Sequence, residues 1–386
     1  MSRLLSQSIL RRLVSIVAIA FLFASGVSAS GPDTTRTAPG SSIGNRHTNA
    51  TYEVSAGLDG EIYPVFANYA SLRRVRERTW GTIAVCVTNS GPEPLRNRIT
   101  VQIPGWSDRE IQLAELSGGE SHTFLFAPTF YPRLYQNHEI IAATAVVAIA
   151  NESGAVVDEQ TVPIRLRSAD DLYWGRNFEY APFIASWVTP HDPAVEELLS
   201  RAKEFAAGRR LPGYETASLI LQKRSTLMQA RAIYRAVQEH GVSYVKSSLT
   251  FGRHEEVSER VRMPAESLHE ISANCIDGAV MYASLFENLG MDPEIVLVPG
   301  HAYVAVRLAP NSPKYLYIET SLTGRASFSN SVASAQRSLA RVPKSEVIRI
   351  NIRKARLDGI YPMPSAVSPM GKHVLEAGKK PPHSGS

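Results

Sequence analysis

The chain has 386 residues, 44% apolar and 20% charged, the composition of an ordinary globular protein with length for two domains and terminal extensions. Its formal charge of +5 does not point to nucleic acid. Arg3, Arg11 and Arg12 stand in the first 29 residues with no acid beside them, so residues 30–386 keep 38 basic and 36 acidic side chains, a charge of only +2.

The N-terminus has three parts: basic "MSRLLSQSILRR", apolar "LVSIVAIAFLFA", and the small residues Val27, Ser28 and Ala29 ahead of Ser30. That is a cleavable signal peptide, residues 1–29, and it predicts export to a periplasmic or extracellular space, with the membrane met only in transit. An uncleaved anchor needs about 20 apolar residues, and this stretch falls short. No cysteine follows to take a lipid. Residues 30–51 are rich in Gly, Ser and Thr and read as an unpacked linker.

From 52 to 168 the pattern has period two. "TIAVCVTNSGPEP", "RITVQIPG", "REIQLAELSGGESHTFLFAP" and "IIAATAVVAIANESGAVVDEQTVPIRL" are strand-like runs broken at Asn89-Ser90-Gly91, Ser117-Gly118-Gly119 and Asn151-Glu152-Ser153-Gly154. Short strands at this spacing predict a β-sandwich, and the segment resembles immunoglobulin-like modules. Ile83, Val85 and Val87 share one strand face and Cys86 the other, so Cys86 reads as filler; in an exported chain a disulfide to Cys275 stays open. The basic run "RRVRER" (73–78) reads as a charged strand edge.

Beyond 170 helices begin. Asp192-Pro193 opens one, and a longer one ends at Gly241. In "SANCIDGAVMYASLFENLG", Ile276, Ala279, Val280, Ala283, Phe286 and Leu289 form an apolar face, Asn274 is an N-cap and Gly290 a stop. Cys275 then sits in the first turn, where backbone N–H groups and the helix dipole favour a thiolate; the plain alternative is a small buried residue. After it come strands "EIVLV", "HAYVAVRL" (301–308) and "KYLYIET" (314–320), giving an α+β domain over 170–350 and an unpacked tail over 362–386. If the turn "APNSP" closes the hairpin, residue 308 faces 314 and 303 faces 319. His301 and Glu319 then share one sheet face as diagonal neighbours, about 7 Å apart at the backbone. Cysteine, histidine and acid would form a nucleophile, a base and its orienting group.

These residues carry a second resemblance. Cys275-x-Asp277 on a helix, "HAYVAV" and then "YLYIET" resemble the transglutaminase-like superfamily, of the papain-like thiol fold, over roughly 185–325. The resemblance implies Cys275 as nucleophile, His301 as base, Glu319 as orienting acid, and Asn274, Asp277 and Tyr303 as supporting residues. It implies no metal and no cofactor, and a peptide or protein amide as substrate, hydrolysed or transferred. Tyr303 stands where the family often has Trp, and Glu319 where Asp is more usual. No side chain upstream of Asn274 declares itself for an oxyanion hole. His254, His269, Cys275 and His301 lack metal-site spacing; His269-Glu270 and His254-Glu255-Glu256 read as solvated faces, and Arg262 and Glu266 as structural ion-pairing groups. The expected fold class is an all-β immunoglobulin-like sandwich followed by an α+β transglutaminase-like domain. The competing function is a non-catalytic peptide-binding or scaffold protein of the cell envelope.

Overall fold

The computed structural model describes residues 49–73, 81–215, 219–246 and 258–364. The leader, the linker through residue 48, positions 74–78 of the basic run, His254-Glu255-Glu256 and the tail from 365 lie outside the described residues. The chain divides into two compact units at Ala169/Asp170. Among the described residues no helix is long and apolar enough to cross a membrane.

The first unit is built from β1 (Ala50–Ala56), β2 (Glu61–Ile62), helix α1 (Pro64–Arg73), β3 (Ile83–Asn89), β4 (Leu95–Gln102), β5 (Glu110–Leu116), β6 (Ser121–Phe126), β7 (Ile141–Asn151) and β8 (Val156–Leu166). They form a three-stranded sheet, β1-β3-β6, and a five-stranded sheet, β2-β8-β7-β4-β5. Ile83, Val85, Val87 and Phe126 of one sheet and Ile99, Val101, Val147 and Ile149 of the other share a single core. Cys86 lies on the other face, half-buried, its sulfur 3.6 Å from Ser121 Oγ. Two features depart from the alternating pattern. Helix α1 occupies a stretch without strand character, opened by Pro64, whose missing N–H costs nothing at a first helical position. In β5 the buried positions are Glu110, Gln112, Ala114 and Leu116, while Ile111 and Leu113 are exposed. The polar pair faces inward because it has partners there: Glu110 Oε2 accepts from the Ala127 N–H at 2.7 Å, and Gln112 Nε2 donates to the Leu125 carbonyl at 2.7 Å.

The second unit contains β9 (Asp171–Tyr173), α2 (Pro193–Ala202), α3 (Leu219–His240), β10 (Ser243–Tyr244), β11 (Ser258–Arg260), α4 (Pro264–His269), β12 (Ser272–Ala273), α5 (Cys275–Asn288), β13 (Pro293–Val298), β14 (His301–Arg307), β15 (Tyr315–Ile318), α6 (Phe328–Leu339), β16 (Ile348–Asn351) and α7 (Ile352–Leu357). Its centre is an antiparallel sheet, β15-β14-β13-β16, with α5 packed against β13 and β14. Every residue of α5 from Cys275 to Phe286 is buried, so the helix is encased on all sides rather than along one stripe. Val296, Val298, Tyr303 and Ala305 cluster with Ala335 of α6.

Several elements of this unit were not anticipated from pattern, among them the short strands β9 to β12, the helix α4, and the later α6, β16 and α7. The helix α6 is rich in Ser and short in large apolar residues, and β16 is four residues of mixed polarity paired with β13. The packed chain also runs further than 350. Ile360 and Met363 are buried, and the Met363 N–H donates to the Ser186 carbonyl at 2.8 Å.

Both cysteines are free thiols, which removes the alternative of a disulfide between Cys86 and Cys275. Protein unfolded without reductant should release two thiol equivalents to Ellman's reagent, and reductant should leave the midpoint of thermal unfolding unchanged. A shift in that midpoint would contradict the free state.

Candidate functional site

The site is organised by the start of α5. Asn274 is extended, with φ −83° and ψ −171°, and its Oδ1 accepts from the N–H groups of Ile276 at 2.9 Å and Asp277 at 2.8 Å. Asp277 reciprocates: Oδ2 accepts from the Asn274 N–H at 3.2 Å and Oδ1 from the Arg262 N–H at 2.9 Å. This capping box satisfies the helix end inside the protein, where water is not at hand. Burial raises the Asp277 carboxyl, against the pull of those N–H donors and of Arg262 and Arg260. Beside it, Glu259 is pushed up to about 8, first by burial and then by the Asp277 charge, so this buried acid is neutral at pH 7. Cys275 follows the cap directly. As the first helical residue its N–H has no acceptor inside the helix and is available to a ligand's oxygen.

The hairpin brings the base to the thiol. Val304 pairs with Ile318, Ala305 with Tyr317, Val306 with Leu316 and Arg307 with Tyr315, the register read from the sequence. Continued outward, it sets His301 and Glu319 diagonally on one face. The His301 Nε2–H donates to both Glu319 oxygens, at 2.9 and 2.8 Å, which leaves Nδ1 for the thiol. Burial opposes charge on the ring, but hydrogen bonding with Cys275 and Glu319, and their charges, outweigh it and raise the imidazole to about 10. Glu319 moves the other way: burial favours its neutral form, yet His301 and the donors of Ser321 hold it below its ordinary value. The result is an imidazolium–carboxylate pair beside a cysteine at neutral pH. Tyr303 packs edge-on against the imidazole, centroids 4.7 Å apart at 88°.

The turn after β15 locks Glu319 in place. Ser321 donates to Glu319 Oε1 through its N–H at 3.2 Å and its hydroxyl at 2.6 Å. Ser331 of α6, fully buried, accepts from the Glu319 N–H at 3.1 Å and donates to its carbonyl at 2.9 Å. Thr320 Oγ1 donates to the Cys275 carbonyl at 3.2 Å, tying the turn that carries Glu319 to the start of α5. That approach needs a glycine: a Cβ on Gly278 would sit 2.8 Å from Thr320 Oγ1 and 2.9 Å from its Cβ.

All six residues singled out from sequence, Asn274, Cys275, Asp277, His301, Tyr303 and Glu319, therefore meet at one place. Of the others, His269 is exposed at the end of α4, and Arg262 reaches the site through its backbone N–H on Asp277 while its guanidinium is ion-paired to Glu270. Glu266 closes the start of α4 by accepting from the Met263 N–H at 2.9 Å. Sequence reasoning missed Thr320, Ser321, Ser331 and Tyr244. Tyr244 sits on β10, pairs in parallel with Ala273, and is half exposed. Burial and the nearby Cys275 and Glu319 raise its phenol, so its hydroxyl is a candidate polar group at the rim of the site. Only Gly278, a glycine inside a helix, carried a signal of close approach.

Two outcomes follow from this geometry. Gly278→Ala should destabilise the chain by about 1–3 kcal/mol despite alanine's higher helix propensity, because the added carbon forces Thr320 away; Thr320→Gly in the same chain should recover part of that loss in chemical denaturation. The His301 proton is held more tightly in the folded state, so its stabilisation is complete below the ordinary 6.5 and is lost as pH rises through about 10. Glu319, lowered, contributes above its ordinary 4.5 and loses that contribution as pH falls. Stability should therefore decline between pH 6.5 and 10, with a limiting slope of about 1.4 kcal/mol per pH unit for one proton. The slope should be shallower in His301→Ala, and equal slopes would refute the pairing.

Searches for related proteins leave the reading to this geometry: no family model matches the chain, and no curated protein matches it significantly.

Proposed function

We propose that the protein is an exported thiol hydrolase or acyltransferase acting on peptide or protein amide bonds, with Cys275 as nucleophile, His301 as base and acid, and Glu319 as the group that orients the imidazole. The observation that carries this reading is the single chain of contact through the His301 ring, with Cys275 on one side and the Glu319 carboxylate on the other. The second unit is taken as a transglutaminase-like domain on the strength of Cys275-x-Asp277, "HAYVAV" and "YIET" in that order, together with a buried helix on an antiparallel sheet. The first unit, two sheets around one core, is taken as an immunoglobulin-like module. The leader supports export, and the chemistry requires no group beyond the chain's own side chains.

In this mechanism the Cys275 sulfur attacks the amide carbon, forming a C–S bond and placing negative charge on the carbonyl oxygen. The Cys275 N–H is one donor for that oxygen. His301 delivers a proton to the leaving nitrogen as the C–N bond breaks, which leaves a thioester and a free amine. Water or an amine then attacks the thioester and His301 takes its proton; the C–S bond breaks, returning the sulfur to Cys275 and releasing the acid or the new amide. Glu319 holds the ring and stabilises its charged form throughout.

Cys275→Ala and His301→Ala should each abolish turnover of a peptide amide almost completely, and the double variant should be no worse, because the two act as a unit. Glu319→Gln should lower turnover by roughly 10²–10⁴. Iodoacetamide at pH 6 should label Cys275 in the wild type and much more slowly in His301→Ala. A Cys275 that stays unlabelled at pH 6 in folded protein would favour the peptide-binding alternative, with which its burial also agrees.

A further inference from the structure

Helix α3 is firmly held by one face and conspicuously bare on the other. Thr226, Gln229, Ala230, Ile233, Tyr234 and Val237 are buried against the second unit. On the outward side Ile220 is 78% exposed, Leu221 54%, Leu227 41% and Met228 45%. Positions 220–221 and 227–228 are two helical turns apart and lie on one stripe. Arg224 and Arg231 occupy the same stripe between and beyond them, both exposed, with Lys223 at its margin. No acid occurs from Ile220 to Arg235; the first, Glu239, is ion-paired to Arg235. Among the described residues Lys223, Arg224 and Arg231 have no carboxylate partner. Phe205, also exposed, lies under the Arg235 guanidinium at 6.0 Å and extends the stripe, next in sequence to Glu204, which is ion-paired to Arg209.

Four large apolar side chains in water beside unpaired cations are not explained by folding, since the helix is already anchored by its other face. Among the described residues the stripe is the outer side of a single helix, which suits a flat surface better than it suits an extended peptide or a partner helix. A second copy docked face to face would bring two sets of guanidinium groups together without counter-charge. An anionic bilayer meets both chemistries at once: apolar side chains enter the headgroup–acyl boundary while Lys and Arg pair with lipid phosphates. The helix would lie on the membrane, not span it.

We propose that the outward face of α3 docks the protein on anionic phospholipid membranes. The proposal is independent of the reading of Cys275. The test uses the full chain in co-sedimentation with vesicles of phosphatidylglycerol and phosphatidylcholine, beside vesicles of phosphatidylcholine alone. Binding is expected to the anionic vesicles, at least tenfold weaker to the neutral ones, and weakened by salt. Arg224→Glu/Arg231→Glu and Leu227→Ser/Met228→Ser should each cost at least tenfold in partitioning, with a cooperative thermal transition retained, since these side chains lie on the outer side of the helix. The paired change Ile111→Ser/Leu113→Ser in the first unit should have no effect. Any binding through the apolar leader is common to all variants and cancels. Variants that bind as the wild type does, or a wild type indifferent to lipid charge, would overturn the proposal. So would concentration-dependent self-association in ultracentrifugation that the α3 changes abolish.

Discussion

Everything at the site depends on capping a helix whose first turn is buried. A helix start leaves N–H groups without acceptors, and for α5 these point into protein. Asn274 takes two of them, Asp277 returns its carboxylate to the Asn274 N–H, and the same carboxylate reaches the Arg262 N–H on the segment before α4. The price is a buried acid. A second, Glu259, lies close enough to feel its charge and is driven by burial and that charge towards its neutral form. Cys275 inherits a rigid position from this arrangement rather than from any contact of its own sulfur.

The second requirement is to hold an imidazole against that position. A strand-terminal histidine has freedom at χ1 and χ2, and a single hydrogen bond would restrain it weakly. Here the restraint passes through Glu319, whose own carboxylate and backbone are held by Ser321 and Ser331. The turn that carries it is fastened to α5 at two points, Thr320 to the Cys275 carbonyl and Thr323 to the Tyr282 hydroxyl at 3.1 Å. Cys275 and Glu319 are thus located by the same contact surface, with Gly278 providing the space. Such supporting shells keep reacting groups within fractions of an ångström of a productive geometry.

Charge and apolar surface are distributed unevenly over the second unit. The interior of α3 is satisfied, with Gln229 bonded to both the N–H and the carbonyl of Gly213, whereas its exterior combines cations with exposed Ile, Leu and Met. The contrast with β5 of the first unit is instructive. There too apolar residues, Ile111 and Leu113, face outward, but the cause is visible inside: Glu110 and Gln112 have backbone partners on the neighbouring sheet's edge that only an inward orientation can reach. Helix α3 shares part of that cause, with Thr226 bonded to the Leu308 carbonyl at 3.0 Å on its inner face, and differs in setting cations beside its outward apolar side chains.

Local chemistry in the sequence determined a great deal: the change from period two to period 3.6 near residue 170, the cap-forming Asn274, the stop at Gly290, and the hairpin register that sets His301 across from the Glu319 turn. Each depends on neighbours a few residues apart, or on a parity that one turn length settles. What lay beyond reach depended on contacts distant along the chain. Ser331 and Thr320 are ordinary residues until folding places them 12 and 45 positions from their partners, at Glu319 and the Cys275 carbonyl. Tyr244 becomes part of the site through the pairing of β10 with β12, a two-residue ladder without periodicity to announce it. Helix α1 was hidden by a weak amphipathic pattern and α6 by its Ser-rich, weakly apolar composition, and the inward turn of Glu110 and Gln112 by a residue-type preference that hydrogen bonding across the sheets overrode. Only the tertiary structure could decide these points, because burial and long-range partners, not local propensity, set the free energy of a polar side chain inside a protein.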